Sequence, residues 1–527
     1  MIFKNNKPLI RKYMLLQSIF LIATGYVNAQ SAGKASKKAT YVNFNSLGKQ
    51  VTRYDQLGDA IDAHDGEIAL FNGVYYLYGT SYDCGFEWGN KIAPFCGFKA
   101  YSSTDLVNWT DRGFLFDAKT ELWQTRCDGK TYGCFRPHVI YNSKTQLYVL
   151  WINVYDNRVG YRVFTSKTPR GPFTEVAEPK LAINSDMPVA GLNNGDHDTF
   201  VDDDGTAYLA YTDWRAKGAI AIEKLTDDYL TGTGEVVKSV TQANTEAPCL
   251  FKRNGIYYVI FSDPNCGYCS GTGASYCTAK SPLGAWSAPI KISDNSCGGQ
   301  PSFVSAIKVS GEMVYIFGSD LWNNAAKNEA LANYYWAPLT FAADGAINPM
   351  KCEKTVTLTH SAKALSRSKQ VKNKLDNTSG SSGFTTHCDI GNSLWRMQAF
   401  TAKRTGELTS LKFITSKSGY PDAGLSFELY KTGANGQISG KPISVNTIDA
   451  ATIGWSPKVI TVKMSGIVKA GVKYGIVVHS ASTKGCYSFQ YNDLAPYPGG
   501  GAAISNDSGK TFTVETNRTL RFETYVE

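Results

Sequence analysis

The sequence lacks several features that would assign it to the common membrane, nucleic-acid-binding or helical classes. Beyond the N-terminus, no apolar run reaches the roughly 20 residues that a membrane-spanning helix needs. The net charge is +9, but apart from residues 363–374 the positive side chains are scattered, so they form no nucleic-acid footprint. Charged residues make up only 19% of the chain and hydrophobic residues 43%, which indicates an ordinary globular protein. No helical period competes over residues 46–350.

The apolar run at the N-terminus is typical of a secretory signal. Residues 1–12 hold four basic residues and no acidic one, residues 13–27 are mostly apolar, and Val27-Asn28-Ala29 matches a cleavage pattern. We therefore expect residues 1–29 to be a signal peptide and the mature chain, which begins at Gln30, to be secreted or periplasmic. An uncleaved membrane anchor is the alternative.

The twelve cysteines suit an oxidising compartment. The pair Cys266-x-x-Cys269 has no second pair at zinc spacing, so disulfides are favoured over a metal. Pairing does not follow from sequence, but the spacing draws attention to Cys84 with Cys96, Cys127 with Cys134, Cys388 with Cys486, and a cluster of Cys266, Cys269 and Cys277 near Cys297.

A recurring turn-and-strand unit organises residues 46–358. A turn followed by an aromatic-rich strand occurs five times, as NGVYYLYGT (72–80), TQLYVLWIN (145–153), DGTAYLAYTD (204–213), NGIYYVIFSD (254–263) and SGEMVYIFGSD (310–320). The mean period is about 60 residues, which is typical of β-propellers with one four-stranded sheet per blade. The sequence therefore predicts an all-β chain that begins with a five-bladed β-propeller.

The rest of the chain predicts a linker and a second β-domain. Residues 359–382 are rich in Ser, Lys and Asn and poor in large apolar side chains, as linkers are. Over residues 383–527, segments such as FELYKTG and VKYGIVVHS alternate with turn residues, which predicts a jelly-roll-like β-sandwich.

Charged residues cluster just before the predicted turns, and inner blade strands would bring them together on the propeller axis. Asp65, Asp196 and Glu246 stand out because they lie eight, nine and nine residues before a turn glycine. Paired carboxylates around a cleft are the apparatus of glycoside hydrolysis, in which one protonates the leaving oxygen and the other activates water or attacks. A third carboxylate can raise the pKa of the acid by repulsion.

The repeats and these blocks together resemble glycoside hydrolase family 43, whose members are five-bladed propellers. The family pattern is matched at Asp65, at Asp196 in DHDTFVDDDG and at Glu246 in EAPCLFKRNGIYY. The resemblance implies that Asp65 is the general base, that Asp196 orients the site and modulates the pKa of the acid, and that Glu246 is the general acid. Hydrolysis would then invert the anomeric carbon, with the base and acid carboxyls roughly 6.5–9.5 Å apart.

A finer resemblance points to the exo-β-1,3-galactanases of this family, through RPHVIYNSKTQLYVLW (136–151), EKLTDDYL (223–230), GQPSFV (299–304) and DLW followed by YYWAPLTF (320–341). The chain departs from that branch in having Asp65 where a Gly is usual and Phe135 where a Glu is usual. The branch is thought to lack the ordinary base, and a Gln matching Gln300 is one candidate replacement. These departures keep α-L-arabinofuranosidase and β-xylosidase activities open.

Further polar and aromatic residues of the expected inner strands are candidates for substrate binding. Glu67 and Asp62 also rival Asp65, although strand alternation would put Asp65 and Glu67 on one face and Asp62 on the other. The predicted substrate-binding residues are Gln300, Arg136, His138, Trp322, Glu67 and His64, with Trp214 as a second stacking candidate.

The resemblance implies no required cofactor, but family members often hold an axial calcium ion, sometimes through a histidine. His197 is the candidate for such a ligand. The alternative is a neutral histidine hydrogen-bonded in the channel, since Ca²⁺ prefers oxygen ligands.

The sequence thus predicts a secreted, monomeric, inverting exo-glycosidase of plant or algal polysaccharide, with galactan 1,3-β-galactosidase as the best-matched activity and with no nucleic-acid or membrane partner. The C-terminal domain resembles a carbohydrate-binding module, and a stabilising domain packed on the propeller is the alternative. A non-catalytic sugar-binding propeller is the competing class, against which the three carboxylates argue.

Overall fold

The computed structural model describes residues 36–527 except 87–92, 128–132, 157–158, 183–193, 264–270, 323–327, 362–374, 434–435 and 495–496. The predicted signal peptide, Cys266, Cys269 and the middle of the predicted linker lie outside the described residues. The regular structure of the described part is almost all β-strand, which confirms the all-β prediction. None of its helices is both long and apolar enough to cross a membrane.

Five antiparallel sheets follow one another along residues 64–338, and in each sheet the strands pair in chain order. The first four sheets have four strands and the fifth has three. The strands are β1 (Ser36–Val42), which precedes the sheets; β2 (His64–Phe71), β3 (Val74–Thr80), β4 (Phe98–Ser103) and β5 (Thr110–Phe114); β6 (Cys134–Asn142), β7 (Leu147–Val154), β8 (Tyr161–Ser166) and β9 (Thr174–Ala177); β10 (Asn194–Val201), β11 (Ala207–Asp213), β12 (Ala219–Leu225) and β13 (Gly232–Val237); β14 (Glu246–Arg253), β15 (Ile256–Asp263), β16 (Gly273–Ala279) and β17 (Ile290–Ser293); β18 (Gln300–Val309), β19 (Glu312–Leu321) and β20 (Asn333–Pro338); and β21 (Thr355–Ser361), which pairs with β1.

The first strands of the five sheets contact one another in a closed order. The strand β2 packs against β6, β6 against β10, β10 against β14, β14 against β18, and β18 against β2 again. Each sheet begins with a strand and a tight turn, such as Asn72-Gly73 between β2 and β3, where both residues have positive φ. Aromatic and branched side chains of the later strands, such as Leu77, Leu150 and Phe317, are buried between sheets. Side chains of the five first strands therefore meet at a common centre.

The single α-helix of the described residues, α1 (Glu121–Arg126), lies between the first two sheets. The Thr120 hydroxyl caps it by accepting a hydrogen bond from the Trp123 N–H. Short 3-10 turns occupy Trp214–Ala216, Glu329–Leu331 and Ala450–Thr452.

Three further antiparallel sheets form the C-terminal part of the chain. Their strands are β22 (Leu375–Thr378), β23 (Thr385–Ile390), β24 (Trp395–Thr401), β25 (Gly406–Thr415), β26 (Lys417–Ser418), β27 (Leu425–Thr432), β28 (Ile438–Ile448), β29 (Lys458–Val468), β30 (Lys473–His479), β31 (Cys486–Asn492), β32 (Ala502–Ser505), β33 (Thr513–Glu515), β34 (Thr519–Leu520) and β35 (Phe522–Val526). One core of buried side chains, including Phe400, Phe427 and Phe489, joins them.

Both ends of the predicted linker, 359–382, are in strands. The strand β21 continues to Ser361 and pairs with β1, while β22 begins at Leu375 and pairs with β35. The polar composition concealed these strands because short strands at a sheet edge are held by backbone pairing rather than by large apolar side chains.

Four disulfides lie within the described residues. The pairs Cys84–Cys96, Cys127–Cys134 and Cys388–Cys486 are confirmed. In the cluster around Cys297, Cys297 itself pairs with Cys352, and Cys277 is a buried free thiol. Cys277 lies inside β16, where its side chain packs in the core between sheets.

We expect the Cys388–Cys486 bridge to stabilise the protein more than the Cys127–Cys134 bridge. They close loops of 98 and 7 residues, and loop-closure entropy makes the longer bridge worth about 2 kcal/mol more. Denaturant unfolding of the two double Cys→Ala variants, each compared with wild type, measures the difference. Equal losses of unfolding free energy would contradict the expectation that the bridge closing the longer loop stabilises the protein more.

Candidate active site

A β-bulge interrupts the first strand of every sheet at a corresponding point. In β2, His64 pairs with Thr80 and Glu67 with Tyr78, so two residues stand opposite one, and the other four first strands have register shifts at the same place. The residues at these shifts include Asp65, Arg136, Asp196, Ala247 and Ser302. Since bulges re-aim side chains and are common beside active sites, the repeated bulge directs these positions out of the simple alternation.

The backbone at the bulges is in a conformation that non-glycine residues rarely adopt. The φ angles of Asp65, Arg136 and Ala247 are +54°, +52° and +56°. In the first sheet, glycines permit the close approach of the two strands, because a Cβ at Gly66 would lie 2.1 Å from the Tyr78 carbonyl oxygen and one at Gly79 would lie 2.0 Å from the Ala63 carbonyl carbon. Backbone strain of this kind is held by the surrounding structure and is frequent at functional sites.

Arg136 is the centre of the polar site. Its guanidinium is buried, its Nε lies 2.8 Å from Oδ1 of Asp196, and its backbone N–H donates to Oδ1 of Asp65 at 3.3 Å. The two remaining guanidinium nitrogens donate to the carbonyl oxygens of Pro301 and Ser302, both at 3.3 Å. One arginine therefore joins the predicted base and the predicted modulator to the fifth sheet.

Asp65 is buried, and its carboxylate accepts two hydrogen bonds besides the one from Arg136. Its Oδ1 accepts from the Thr80 hydroxyl at 2.6 Å, and its Oδ2 accepts from the Tyr82 hydroxyl at 3.0 Å. Its own N–H donates to Oδ2 of Asp320 at 3.0 Å. Burial raises the pKa of Asp65 to about 6, although Arg136 and the two hydroxyls favour the ionised form. Asp65 is therefore mainly ionised at neutral pH.

Glu246 has a different environment. Its Oε1 accepts one hydrogen bond, from the Gln300 amide at 2.6 Å. Burial first and the negative charge of Asp196 second raise the pKa of Glu246 to about 8, against the opposing effects of Arg136 and Gln300. The carboxyl is therefore mainly protonated at neutral pH, as a general acid must be.

Aromatic side chains surround this polar group. Tyr82 and Phe86 are buried in a cluster against which Phe135 and Trp322 pack with partly exposed rings. The Trp322 ring centroid lies 5.9 Å from that of Tyr82, so the predicted stacking platform is beside the residue that binds Asp65. Trp214 packs over Gly195, next to Asp196, where a Cβ would lie 2.3 Å from the indole nitrogen.

Glu67, His138 and Asp198 form a separate cluster near the axis, in which one ligand atom of each lies within 4.8 Å of the others. His138 Nδ1 is 3.0 Å from Oδ1 of Asp198 and 3.8 Å from Oε2 of Glu67. The adjacent His197 has no hydrogen-bond partner for either ring nitrogen within the described part of the chain, and burial lowers its pKa well below the usual value. Two carboxylates and one imidazole, that of His138, are a donor set that fits a divalent cation.

The structure corrects the expectation that His64 and His138 contact substrate, because both imidazoles are fully buried. His64 lies between Asp320 and Asp62, 3.6 and 3.5 Å from their oxygens, and its ring stacks on Tyr334. Burial alone would lower the pKa of His64, but the two neighbouring carboxylates of Asp320 and Asp62 raise it to about 9. It is therefore a buried cation behind Asp65, and Asp62 is its counter-ion rather than a second candidate for the base.

Glu67 also faces away from the polar site. Its Oε1 accepts from the Val139 N–H at 2.5 Å, and burial raises its pKa to about 7. It belongs to the axial cluster with His138 rather than to the group around Arg136.

Sequence reasoning missed three residues that bind Asp65 directly, Thr80, Tyr82 and Asp320. Asp320 stands in the DLW block, and Thr80 and Tyr82 come at and just after the end of the strand that follows the first repeated turn. The sequence signal that could have identified them is this position at the strand ends, opposite the bulges.

Comparisons with known proteins place the chain among glycoside hydrolases. The glycosyl hydrolases family 43 model matches residues 59–291. The β-D-galactofuranosidase of Aspergillus niger is 30% identical over 258 residues, which span 48% of this chain and 72% of that enzyme. The arabinoxylan arabinofuranohydrolase of Bacillus subtilis is 25% identical over 287 residues, and the match spans 48% of this chain but only 53% of that enzyme.

Solved structures of the same family are also similar. A β-1,3-galactosidase bound to galactodeoxynojirimycin is 26% identical, with a TM-score of 0.48 over 56% of this chain and 96% of its own. An exo-β-1,3-galactanase of Phanerochaete chrysosporium bound to galactose is 20% identical, with a TM-score of 0.48 over 86% of this chain and 100% of its own. From the family model and the Aspergillus relative, the chain belongs to glycoside hydrolase family 43, whose members are inverting glycoside hydrolases.

We expect a bell-shaped pH dependence of kcat/KM. Activity falls below about pH 6 as Asp65 is protonated and above about pH 8 as Glu246 ionises, if the two carboxyls are base and acid. The variant Gln300→Leu removes a donor to ionised Glu246, so the alkaline limb should move to higher pH. The variant Asp196→Asn removes a repelling charge, so that limb should move lower. Alkaline limbs that stay fixed in both variants would show that Glu246 is not the group that titrates there.

Proposed function

We propose that the protein is an exo-acting glycosidase whose five sheets are the blades of a β-propeller, with the active site at the end of the axis where Asp65, Arg136, Asp196, Glu246 and Gln300 meet. The observation that carries this proposal is the difference between two carboxyls that share one site. Asp65 is an ionised carboxylate and Glu246 a protonated carboxyl at neutral pH. Environments that separate the pKa values of two carboxyls assign acid and base roles.

In the proposed mechanism, Glu246 donates its proton to the glycosidic oxygen as the bond to the anomeric carbon breaks. Asp65 accepts a proton from the water that attacks from the opposite face, so the configuration inverts. Asp196 keeps Glu246 protonated through charge repulsion, and the Arg136 guanidinium holds Asp196 in place. Since Asp65 is present and ionised, the base does not need to be Gln300, whose amide instead orients Glu246.

We propose β-1,3-galactan or arabinogalactan side chains as the substrate, cut from a chain end to release galactose. The sequence blocks shared with the exo-β-1,3-galactanases support this choice. A second candidate is a furanosidase or xylosidase, because Asp65 and Phe135 depart from the galactanase branch. The names of the relatives, a galactofuranosidase and an arabinofuranohydrolase, also favour furanoside substrates.

The test is product release from β-1,3-galactan, arabinan, xylan and matching aryl galactopyranosides, galactofuranosides, arabinofuranosides and xylosides. We expect galactose from the galactan, and a loss of roughly 10²–10⁴-fold in kcat for Glu246→Gln, since that is the usual worth of general acid catalysis. A matched control is Glu235→Gln, whose side chain is 57% exposed and pairs with Lys224. NMR detection of the first-formed anomer checks inversion.

Each other outcome has a defined meaning. Release of arabinose or xylose alone would replace the galactanase proposal by the second candidate. Equal rates for wild type and Glu246→Gln would contradict the role of Glu246. Sugar binding without release from any substrate would favour a non-catalytic propeller.

We also propose that the chain is exported as a monomer after removal of residues 1–29, and that a structural Ca²⁺ is held near Glu67, His138, His197 and Asp198. The cluster supports the ion because the carboxylates of Glu67 and Asp198 and the imidazole of His138 each offer one ligand atom, and these atoms lie within 4.8 Å of one another. When bound, the ion would neutralise the buried carboxylates and brace the first strands.

We expect added Ca²⁺ to raise the melting temperature of protein treated with a chelator, since an ion at 100 times its Kd stabilises the folded state by about 2.7 kcal/mol. The variant Asp198→Asn should lose this rise. The matched control Asp203→Asn, at an 89% exposed carboxylate, should keep it. A wild-type melting temperature that is the same with chelator and with Ca²⁺ would refute the proposed ion.

A further inference from the structure

Two segments of the C-terminal domain reach the wall of the active site. One comprises residues 417–420 and the other residues 454–458, and the Lys417 N–H donates to the Gly454 carbonyl oxygen at 2.8 Å, so the two are joined. The Lys417 ammonium lies 4.4 Å over the Trp455 ring and donates to the Ala450 carbonyl oxygen at 2.6 Å. They form a preassembled edge of the C-terminal domain, and we name these residues the rim segments.

The first contact of the rim segments is with Asp83, in the turn that follows β3. Oδ1 of Asp83 accepts the Ser456 N–H at 2.7 Å, and its Oδ2 accepts from the Lys458 ammonium. The fit leaves no space, since a Cβ at Gly454 would lie 2.4 Å from Oδ1 of Asp83. The carboxylate is only 12% exposed, so its pairing with Lys458 is a partly buried ion pair rather than a surface one.

The same turn holds the predicted base. Tyr82, the neighbour of Asp83, donates its hydroxyl to Oδ2 of Asp65 at 3.0 Å. The N–H groups of Tyr82 and Asp83 both donate to the Asp62 carboxylate, at 2.8 and 3.2 Å. The turn is thus fixed by Asp62 on one side and by the rim segments on the other, and its position sets the position of the Tyr82 hydroxyl.

The second contact is with Asn328, in the connection between β19 and β20 of the fifth sheet. The side-chain amide nitrogen of Asn328 is close to three acceptors in the rim segments, the carbonyl oxygens of Lys417 and Trp455 and the Ser418 hydroxyl, at 3.0–3.1 Å. Asn328 is buried and its Oδ1 accepts the N–H of Ala330. Ala330 packs with Tyr82 in the aromatic cluster, so the rim segments hold two sides of one wall.

Trp455 and Tyr420 complete this wall. Trp455 packs against the cluster of Tyr82 and Phe86 that also carries Trp322. The Tyr420 hydroxyl donates to the Gly85 carbonyl oxygen at 3.4 Å, and Gly85 has a φ of +92° and no space for a Cβ, which would lie 2.7 Å from the Trp455 ring.

We propose that the C-terminal domain is a structural part of the active site and that Asp83 is the positioning residue through which it acts. By anchoring Asp83, Ser456 and Lys458 fix the turn whose Tyr82 hydroxyl holds Asp65 in place. This deepens the proposed function, since it rests on Asp65 as the base. A module that served only to raise local substrate concentration would be joined by a linker and would leave the site complete without it.

The test compares two lysines that make similar contacts across the domains. Lys458 is 41% exposed and pairs with Asp83, whereas Lys49 is 40% exposed and pairs with Asp493 at 2.8 Å. The variants Lys458→Met and Lys49→Met should both lower the melting temperature, since each loses one ion pair across the domains, and Lys49→Met also loses a hydrogen bond to the Tyr491 hydroxyl at 3.2 Å. We expect Lys458→Met alone to lower kcat about tenfold with KM changed less than twofold, because small displacements of a catalytic group are costly.

Hydrogen exchange supplies a readout that needs no substrate. In Lys458→Met, but not in Lys49→Met, the amides of residues 81–86 should exchange faster, because Asp83 loses its ion pair with Lys458 and keeps only the Ser456 N–H on that side. The variant Asp83→Asn should lower kcat as much as Lys458→Met does. The double variant should lower kcat no further, because both changes remove the same contact, the one between Asp83 and Lys458.

The outcomes separate this proposal from the substrate proposal. Rates are measured on whichever glycoside the wild type cleaves fastest, so a different sugar changes only the assay. Faster exchange of residues 81–86 with unchanged kcat would overturn the positioning role, and so would equal effects of the two lysine variants on kcat. Additive losses in the double variant would show that Asp83 and Lys458 act separately and would overturn the proposed path.

Discussion

The site depends on one buried cation. A guanidinium out of contact with water must be paired and hydrogen-bonded, because an unpaired buried charge is strongly destabilising. The Arg136 guanidinium meets this need with Asp196 on the third sheet and the carbonyl oxygens of Pro301 and Ser302 on the fifth, while the Arg136 backbone N–H donates to Asp65 on the first. Only the fourth sheet is joined indirectly, where Glu246 accepts from Gln300. The electrostatic requirement of a single side chain thus fixes how the five first strands meet.

The separation of the two carboxyl pKa values follows from the number of donors that each receives. Burial raises both, but Asp65 accepts from two hydroxyls and the Arg136 N–H, whereas Glu246 accepts from one amide and faces the charge of Asp196. Donors to an ionised carboxylate favour it, and a neighbouring like charge disfavours it. The donors and charges around the two carboxyls therefore distinguish acid from base, and no difference in how deeply the carboxyls are buried is needed.

Much of the fold was predictable from the sequence, because a turn followed by an aromatic strand repeats with a nearly constant period. The three carboxylates were predictable for the same reason, since a constant offset from a turn places them at one end of their strands. Strand alternation would place Glu67 on the same face as Asp65, but a bulge after His64 breaks the alternation, and Glu67 lies beside His138 instead. Bulges leave no clear mark in a single sequence, and the contacts of Asp65 with Asp320 or of Asp83 with Lys458 join residues that are hundreds of positions apart.

The two departures from the galactanase branch are best understood as one exchange. That branch has a Gly at the position of Asp65 and a Glu at the position of Phe135, so each arrangement supplies one carboxylate from these two positions. Phe135 instead packs against Phe86, with ring centroids 5.8 Å apart, and extends the aromatic wall. An apolar ring beside the acids suits the apolar face of a sugar. The exchange therefore keeps the charge of the site while it changes the surface that the substrate meets.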